Sequence, residues 1–182
     1  MIECFPLTPD RWPDLERLFG PIGACAGCWC MSWRVPRRVF EKQKGDANRA
    51  AFHQVVQDGP PPGVLAYDQG QPVGWCSIAP RETFPHLANS RILAPVDDQP
   101  VWSITCLFVL KGHRRKGVSR ALIEAAASFA RDQGARIVEA YPTEASKKQT
   151  DVFVWTGLAS AFLKAGFHEV ARRSPTRPIM RC

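Results

Sequence analysis

Hydrophobic and polar positions alternate most informatively between Val101 and Gln133. The nine residues Val101 to Val109 carry no charge and are rich in branched and aromatic types, which predicts a strand covered on both faces. Strict alternation puts Trp102, Ile104, Cys106 and Phe108 on one apolar face. Val101, Ser103, Thr105, Leu107 and Val109 take the other, with its polar side chains in mid-strand. After a turn, Val118, Leu122, Ala126 and Phe129 recur at helical spacing while Arg120, Glu124 and Arg131 fall off that stripe, so a helix runs to Gln133 and stops at Gly134.

The same reading organises the rest of the chain. Ile2 to Leu7 alternates as an edge strand, and Thr8 is placed to cap a helix from Pro9 to Phe19 with Trp12, Leu15 and Leu18 inward. Pro36 to Gln57 forms a second helix interrupted or loosened at Gly45, with Phe40, Ala51, Phe52, Val55 and Val56 as core candidates. Gly59 to Gly63 is a break. Val64–Tyr67 and Pro72–Ala79 make a hairpin about Asp68–Gln71, and Gly74 marks a bulge or the close approach of another backbone. Pro80 to Pro100 reads as loop with one helical turn. A short strand at Arg136–Tyr141, a loop at Pro142–Phe153, a helix over Gly157–Ala165 capped by Thr156 and ended by Gly166, and a hairpin of Phe167–Arg173 with Pro178–Cys182 complete the chain.

Composition narrows the class. A length of 182 residues, 45% hydrophobic and 23% charged, suits one folded domain over 1–182. No apolar run approaches the ~20 residues of a membrane span, and the start lacks the basic-then-apolar build of a signal peptide, so a cytoplasmic protein with no membrane partner is expected. The net charge of +7 favours anionic partners. The cations are spread over Arg34/Arg37/Arg38, His113 to Lys116 and Arg172/Arg173/Arg177/Arg181, which disfavours nucleic acid. Seven cysteines are read as free thiols. Cys25, Cys28 and Cys30 supply three of the four ligands zinc needs, and a fourth would have to come from Cys4, Cys76 or His53, so packing is preferred and no metal is expected. Trp29 and Trp33 would share a face if that segment were helical.

The chemistry is concentrated in the turn. His113, Arg114, Arg115 and Lys116 precede Gly117 at a helix start, where unpaired N–H groups and the helix dipole favour phosphate. A Walker loop needs Lys after its last Gly, but Lys116 precedes Gly117 and Val118 follows it, and the paired-glycine dinucleotide fingerprint is missing. Arg114-x-x-Gly117-x-Ser119, between strand and helix, instead resembles the pyrophosphate loop of the GNAT superfamily of N-acetyltransferases. The element order resembles that family along nearly the whole chain, most specifically in Val101–Gln133 and in the helix ending Ala165-Gly166-Phe167.

The resemblance implies an α+β layered fold, with helices flanking a mixed, mostly antiparallel sheet. It implies transfer of acetyl from acetyl-CoA to a primary amine of a small molecule or peptide. Pantetheine would lie along backbone groups of Leu107 and Val109, and the diphosphate against Arg114, Arg115, Lys116, Gly117, Val118 and Ser119. The segment from Cys25 to Arg34 would wall the acceptor pocket. Where many family members carry a tyrosine as proton donor this chain has Phe162, so Tyr141 is the substitute acid and Glu139, Glu82 or His86 the base. Two other readings are a non-catalytic acyl-CoA-binding regulator and a basic tRNA or nucleic-acid partner. A homodimer is left open.

Overall fold

The computed structural model describes residues 1–144 and 154–182. Seven strands, β1 (Ile2–Pro6), β2 (Gly63–Asp68), β3 (Gln71–Pro80), β4 (Trp102–Val109), β5 (Val138–Ala140), β6 (His168–Arg172) and β7 (Pro178–Arg181), form one sheet in the order β1-β2-β3-β4-β5-β7-β6. All neighbours are antiparallel except β4 and β5. That pair is parallel because a helix, α5 (Val118–Asp132), crosses between them. The mixed, mostly antiparallel layout expected from the sequence is thus the one the chain adopts. No helix among the described residues is long and apolar enough to cross a membrane.

Two apolar layers cover the sheet. On one face α5 lays Val118, Leu122, Ile123, Ala126 and Phe129 against Val64, Cys76, Ile78 and Ile104, and α6 (Ala159–Lys164) adds Phe162. Each fully buried Leu, Ile or Phe of this kind contributes about 2 kcal/mol relative to exposure. The expected stripe on α5 is wholly buried, and Gly134, at φ 90°, ends the helix. On the other face, α1 (Trp12–Phe19) and α3 (Asp46–Asp58) enclose Leu15, Phe19, Phe52 and Val56 with Leu65 and Trp75. The helix expected over Pro36–Gln57 is interrupted at Gly45, which sits at φ 88° and divides it into α2 (Arg37–Gln43) and α3. The loop after β3 carries its one helical turn at α4 (Pro85–Ala88).

Several local expectations change. Thr8 and Thr156 make no cap hydrogen bond. Thr8 Oγ1 accepts from Arg11 Nη1 at 3.1 Å, and the buried Thr156 Oγ1 accepts from Arg177 Nη1 at 3.2 Å. Trp29 and Trp33 do not share a face, since Ala24, Ala26, Trp29 and Cys30 all have positive φ and break any helix. The expectation at Gly74 holds: Ala66 pairs with Gly74 and Tyr67 with Pro72, so Val73 is an extra residue beside it, and a β-carbon on Gly74 would lie 2.9 Å from Leu122 Cδ1, 3.0 Å from Val118 Cγ1 and 3.2 Å from Phe108 O.

The largest change is in β4. Ser77 pairs with Cys106 and Ile78 with Ile104, which leaves Thr105 as an extra residue. A bulge of this kind resets the alternation. Ile104, Leu107 and Val109 therefore face α5, while Cys106 and Phe108 face the α1 side. The unbroken apolar face read as Trp102–Ile104–Cys106–Phe108 is split at its middle.

Candidate active site

The strands β4 and β5 pair only from Trp102 to Ile104, against Val138 to Ala140, and β4 then runs on alone to Val109. Leu110 N–H donates to Val73 O at 3.0 Å, so by strand alternation the N–H and C=O of Val109 and Leu107 point away from β3, into the splay. Two of these four groups are engaged: Leu107 N–H donates to Trp155 O at 2.7 Å, and Val109 O accepts from Arg114 Nε at 3.2 Å. Leu107 C=O and Val109 N–H have no partner among the described residues.

Directly beyond β4 the backbone passes through a short 3-10 turn, Lys111–His113, then left-handed residues Arg115 (φ 62°) and Gly117 (φ 84°). The first turn of α5 closes with Ala121 N–H on Gly117 O at 3.1 Å. The amides of Arg115 through Arg120 therefore meet no backbone acceptor among the described residues. A β-carbon on Gly117 would meet nothing within 4 Å, so the space before these amides is open. Arg115 and Lys116 are exposed beside it. Unpaired amides, the positive end of a fifteen-residue helix and exposed cations make an anion site.

The segment around Trp155 closes one side of the splay. A β-carbon on Gly157, itself at φ +83°, would fall 2.7 Å from Leu107 Cδ1 and 2.8 Å from Phe162 Cε2. Gly157→Ala is expected to cost about 2–3 kcal/mol, read as a lower urea midpoint, because overpacking and left-handed strain act together. An unchanged midpoint would show that this contact relaxes freely.

Tyr141 and Glu139, expected as acid and base, lie in a closed polar network below the splay. Tyr141 O–H donates to Glu139 Oε1 at 2.6 Å and shares a 2.8 Å hydrogen bond with Ser103 Oγ. Glu139 Oε1 also accepts from Arg81 Nη1 at 3.1 Å, and Oε2 from Arg181 Nε at 2.7 Å. Arg181 continues to Asp97 at 2.6 and 3.1 Å, and Arg81 Nη2 to Leu93 O at 2.6 Å. Two cations and two carboxylates balance. Glu139 is fully buried and Tyr141 is 1% exposed. Burial first, and the Glu139 charge second, push the Tyr141 phenol well above its ordinary value. Arg181 and Asp97 went unnoticed at the sequence level, where an inward arginine on a closing strand looks like one of several surface cations.

The wall expected from Cys25–Arg34 divides. Trp29 is buried beside Trp12 (6.0 Å between ring centroids) and Phe19 (5.6 Å). Trp33 stands against Trp155 (5.6 Å) and His86 (6.1 Å), which joins this segment to the side of the splay. Glu82 is exposed. Cys30 is buried and its thiol accepts from Trp75 Nε1 at 2.9 Å, while Cys25 is exposed. The Cys106 thiol, then the Trp75 N–H and the Arg34 charge, draw the Cys30 pKa down, whereas burial pushes Cys28 up to about 12. A hollow of about 400 Å³ lined by Arg81, Glu82, Phe84 and Asp97 opens near Val101. It lies at the far end of β4 from Gly117, roughly 25 Å away for eight strand residues, so it is not part of the splay.

Residues 29–153 match the sequence profile of the acetyltransferase (GNAT) family, well over half the chain, and the protein belongs to that family. No curated protein matches it. Among solved structures it is similar to a putative GNAT-family acetyltransferase from Desulfovibrio desulfuricans (15% identity, TM-score 0.55, covering 100% of this chain and 98% of that one). It is also similar to AAC(6')-Iy bound to a bisubstrate analogue, CoA-S-monomethyl-acetylneamine (17%, TM-score 0.56, 96% and 95%). A third is the PaiA N-acetyltransferase from Thermoplasma acidophilum in complex with coenzyme A (12%, TM-score 0.51, 100% and 98%). At these identities the likeness is one of fold.

Proposed function

We propose that residues 1–182 act as one cytoplasmic domain that transfers the acetyl group of acetyl-CoA to a primary amine of a small molecule or peptide. One observation carries this reading: open, uncommitted amides around Gly117 stand directly beyond the free backbone edge of β4. A diphosphate and a pantetheine chain are joined in one molecule, and the two features lie in that order. The amides of Arg115 to Arg120 take the diphosphate, with Arg115 and Lys116 adding charge beside Arg114. Leu107 C=O and Val109 N–H are the groups free to bond the pantetheine amides. The coenzyme-bound state of two fold neighbours supports the assignment.

The chemistry asks little more of the side chains. The amine nitrogen attacks the acetyl carbon, the C–S bond breaks, and the ammonium proton passes to solvent while coenzyme A leaves as a thiolate. Holding both reactants in one cleft supplies much of the acceleration. Phe162 has no proton to give and packs edge-on against Phe167 at 5.2 Å. Tyr141 and Glu139 we assign to holding the floor of the cleft, because every polar atom they own is already bonded.

A second reading, a coenzyme-responsive binding protein without turnover, is favoured by that same lack of a free proton donor. Thiol release from acetyl-CoA across a panel of amines separates the two, since only the enzyme shows amine-dependent release. Calorimetry with millimolar acetyl-CoA tests both, and the absence of any heat overturns both.

A further inference from the structure

Arg34 is a cation with no counter-carboxylate among the described residues. Its guanidinium lies over the ring of Phe84 at 4.9 Å and near that of Phe52 at 5.7 Å. Its only hydrogen bond among the described residues is a long one, Nη2 to Pro62 O at 3.4 Å, and its enclosed Nε has no acceptor. The other buried arginines behave differently: Arg81 and Arg181 are both paired with Glu139. Desolvation pulls Arg34 down to about 10, so the fold pays for keeping it charged at neutral pH. The Cys30 thiol, whose charge would favour the guanidinium, is one acceptor atom against five N–H donors in a planar fork.

A second donor on the same segment is also orphaned, for Trp33 Nε1 is enclosed and has no acceptor among the described residues. Trp33 packs on Trp155 at the splay and borders the cluster that contains Phe84. Next to Trp155, Thr156 receives Arg177, another half-buried arginine whose partners are hydroxyls and not carboxylates. Buried N–H donors without acceptors among the described residues, next to positive charge that no described carboxylate meets, suit an anion. Arg34 keeps some exposed surface, so a ligand can reach it.

We propose that Arg34 is the specificity-determining residue of the acceptor site and binds a carboxylate of the amine substrate, so that the acceptor is a carboxylated amine: a free amino acid or the end of a short peptide. This rests on the acetyltransferase reading, while binding of a carboxylate at Arg34 can be tested without turnover. A planar guanidinium pairs with a carboxylate through two parallel N–H···O bonds, which neither a neutral amine nor a lysine at this position reproduces.

The test uses matched acceptors with acetyl-CoA: phenylalanine against 2-phenylethylamine, and glycylglycine against its C-terminal amide. The carboxylated member of each pair is expected to show a kcat/KM roughly 100-fold higher, a factor that Arg34→Gln removes through KM while sparing the neutral member. Preference for phenylalanine alone identifies a free amino acid, and for both acids a peptide end. Equal or better turnover of the neutral members, or equal slowing of both by Arg34→Gln, overturns the proposal. If acetyl-CoA binds but no amine is acetylated, the enzymatic reading falls and quenching of tryptophan fluorescence by benzoate decides. Saturable quenching that Arg34→Gln abolishes upholds the anion site, and its absence in the wild type overturns it. Arg34→Lys serves where the glutamine variant does not fold; it keeps the charge, loses the fork, and is expected to lose most of the discrimination.

Discussion

Glu139→Ala is expected to lower the stability of the protein by about 3–5 kcal/mol, because it leaves Arg81 without its carboxylate in the interior and Arg181 with Asp97 alone. For a chain of this length that is a fall of roughly 10 °C in Tm. Arg81 and Arg181 each lose the carboxylate oxygen they hold at 3.1 and 2.7 Å, and the Tyr141 hydroxyl loses its acceptor at 2.6 Å. The bonds join β5 to β7 and to the loop after β3, so the loss extends past one residue. Tyr141→Phe removes a single hydroxyl and is expected to cost about 1–2 kcal/mol. Acetyl transfer should survive it. A phenol raised above its ordinary value cannot readily protonate a thiolate whose own pKa is about 8.5. Thermal melts and initial rates on the two variants check this. A Tyr141→Phe protein with an unchanged Tm and a rate down by orders of magnitude would restore the tyrosine as the acid that the sequence suggests.

What the sequence reveals and what it hides follow from how far apart the interacting residues lie. The helix α5, its stripe and its basic turn depend on neighbours three or four positions away, and periodicity finds them. The hairpin of β2 and β3 is legible for the same reason, since Gln69 and Gly70 both take the left-handed conformation that such turns demand. The extra residue at Thr105 is invisible, because a bulge is a property of the pairing with Ser77 and Ile78 and not of β4 by itself. The charge network joins residues 58 and 42 positions apart, Arg81 and Arg181 to Glu139. Glu139 looks like a free base only while those partners are unknown. The segment holding Trp29 and Trp33 misleads for a local reason: four residues with positive φ make its spacing meaningless as helix. The orphan Arg34 needed both views. Its place in a basic cluster is readable from the chain, but its lack of a carboxylate among the described residues is not.

Gly117→Glu is expected to abolish the rise in Tm that acetyl-CoA causes in the wild type. A ligand at 100 times its Kd stabilises the folded state by about 2.7 kcal/mol, several degrees for a protein of this size. Two effects of the substitution must be told apart. The first is strain, since φ 84° suits glycine and costs other residues about 1–3 kcal/mol. It cannot explain lost binding, because Arg115 already holds φ 62° two residues earlier with a side chain in place. Gly117→Ala isolates this effect, and it should lower the unliganded Tm while preserving most of the acetyl-CoA shift. The second effect is the carboxylate, placed in the open space before the amides of Arg115 to Arg120, where it fills the volume and cancels the field that attracts a diphosphate. An affinity loss of at least about 100-fold is expected from it. Lys116→Ala should cost far less, as a single exposed cation is screened by salt and the main chain does the gripping. A glutamate variant that kept its full response to acetyl-CoA would remove the turn from the coenzyme site and leave the β4 edge without its neighbour.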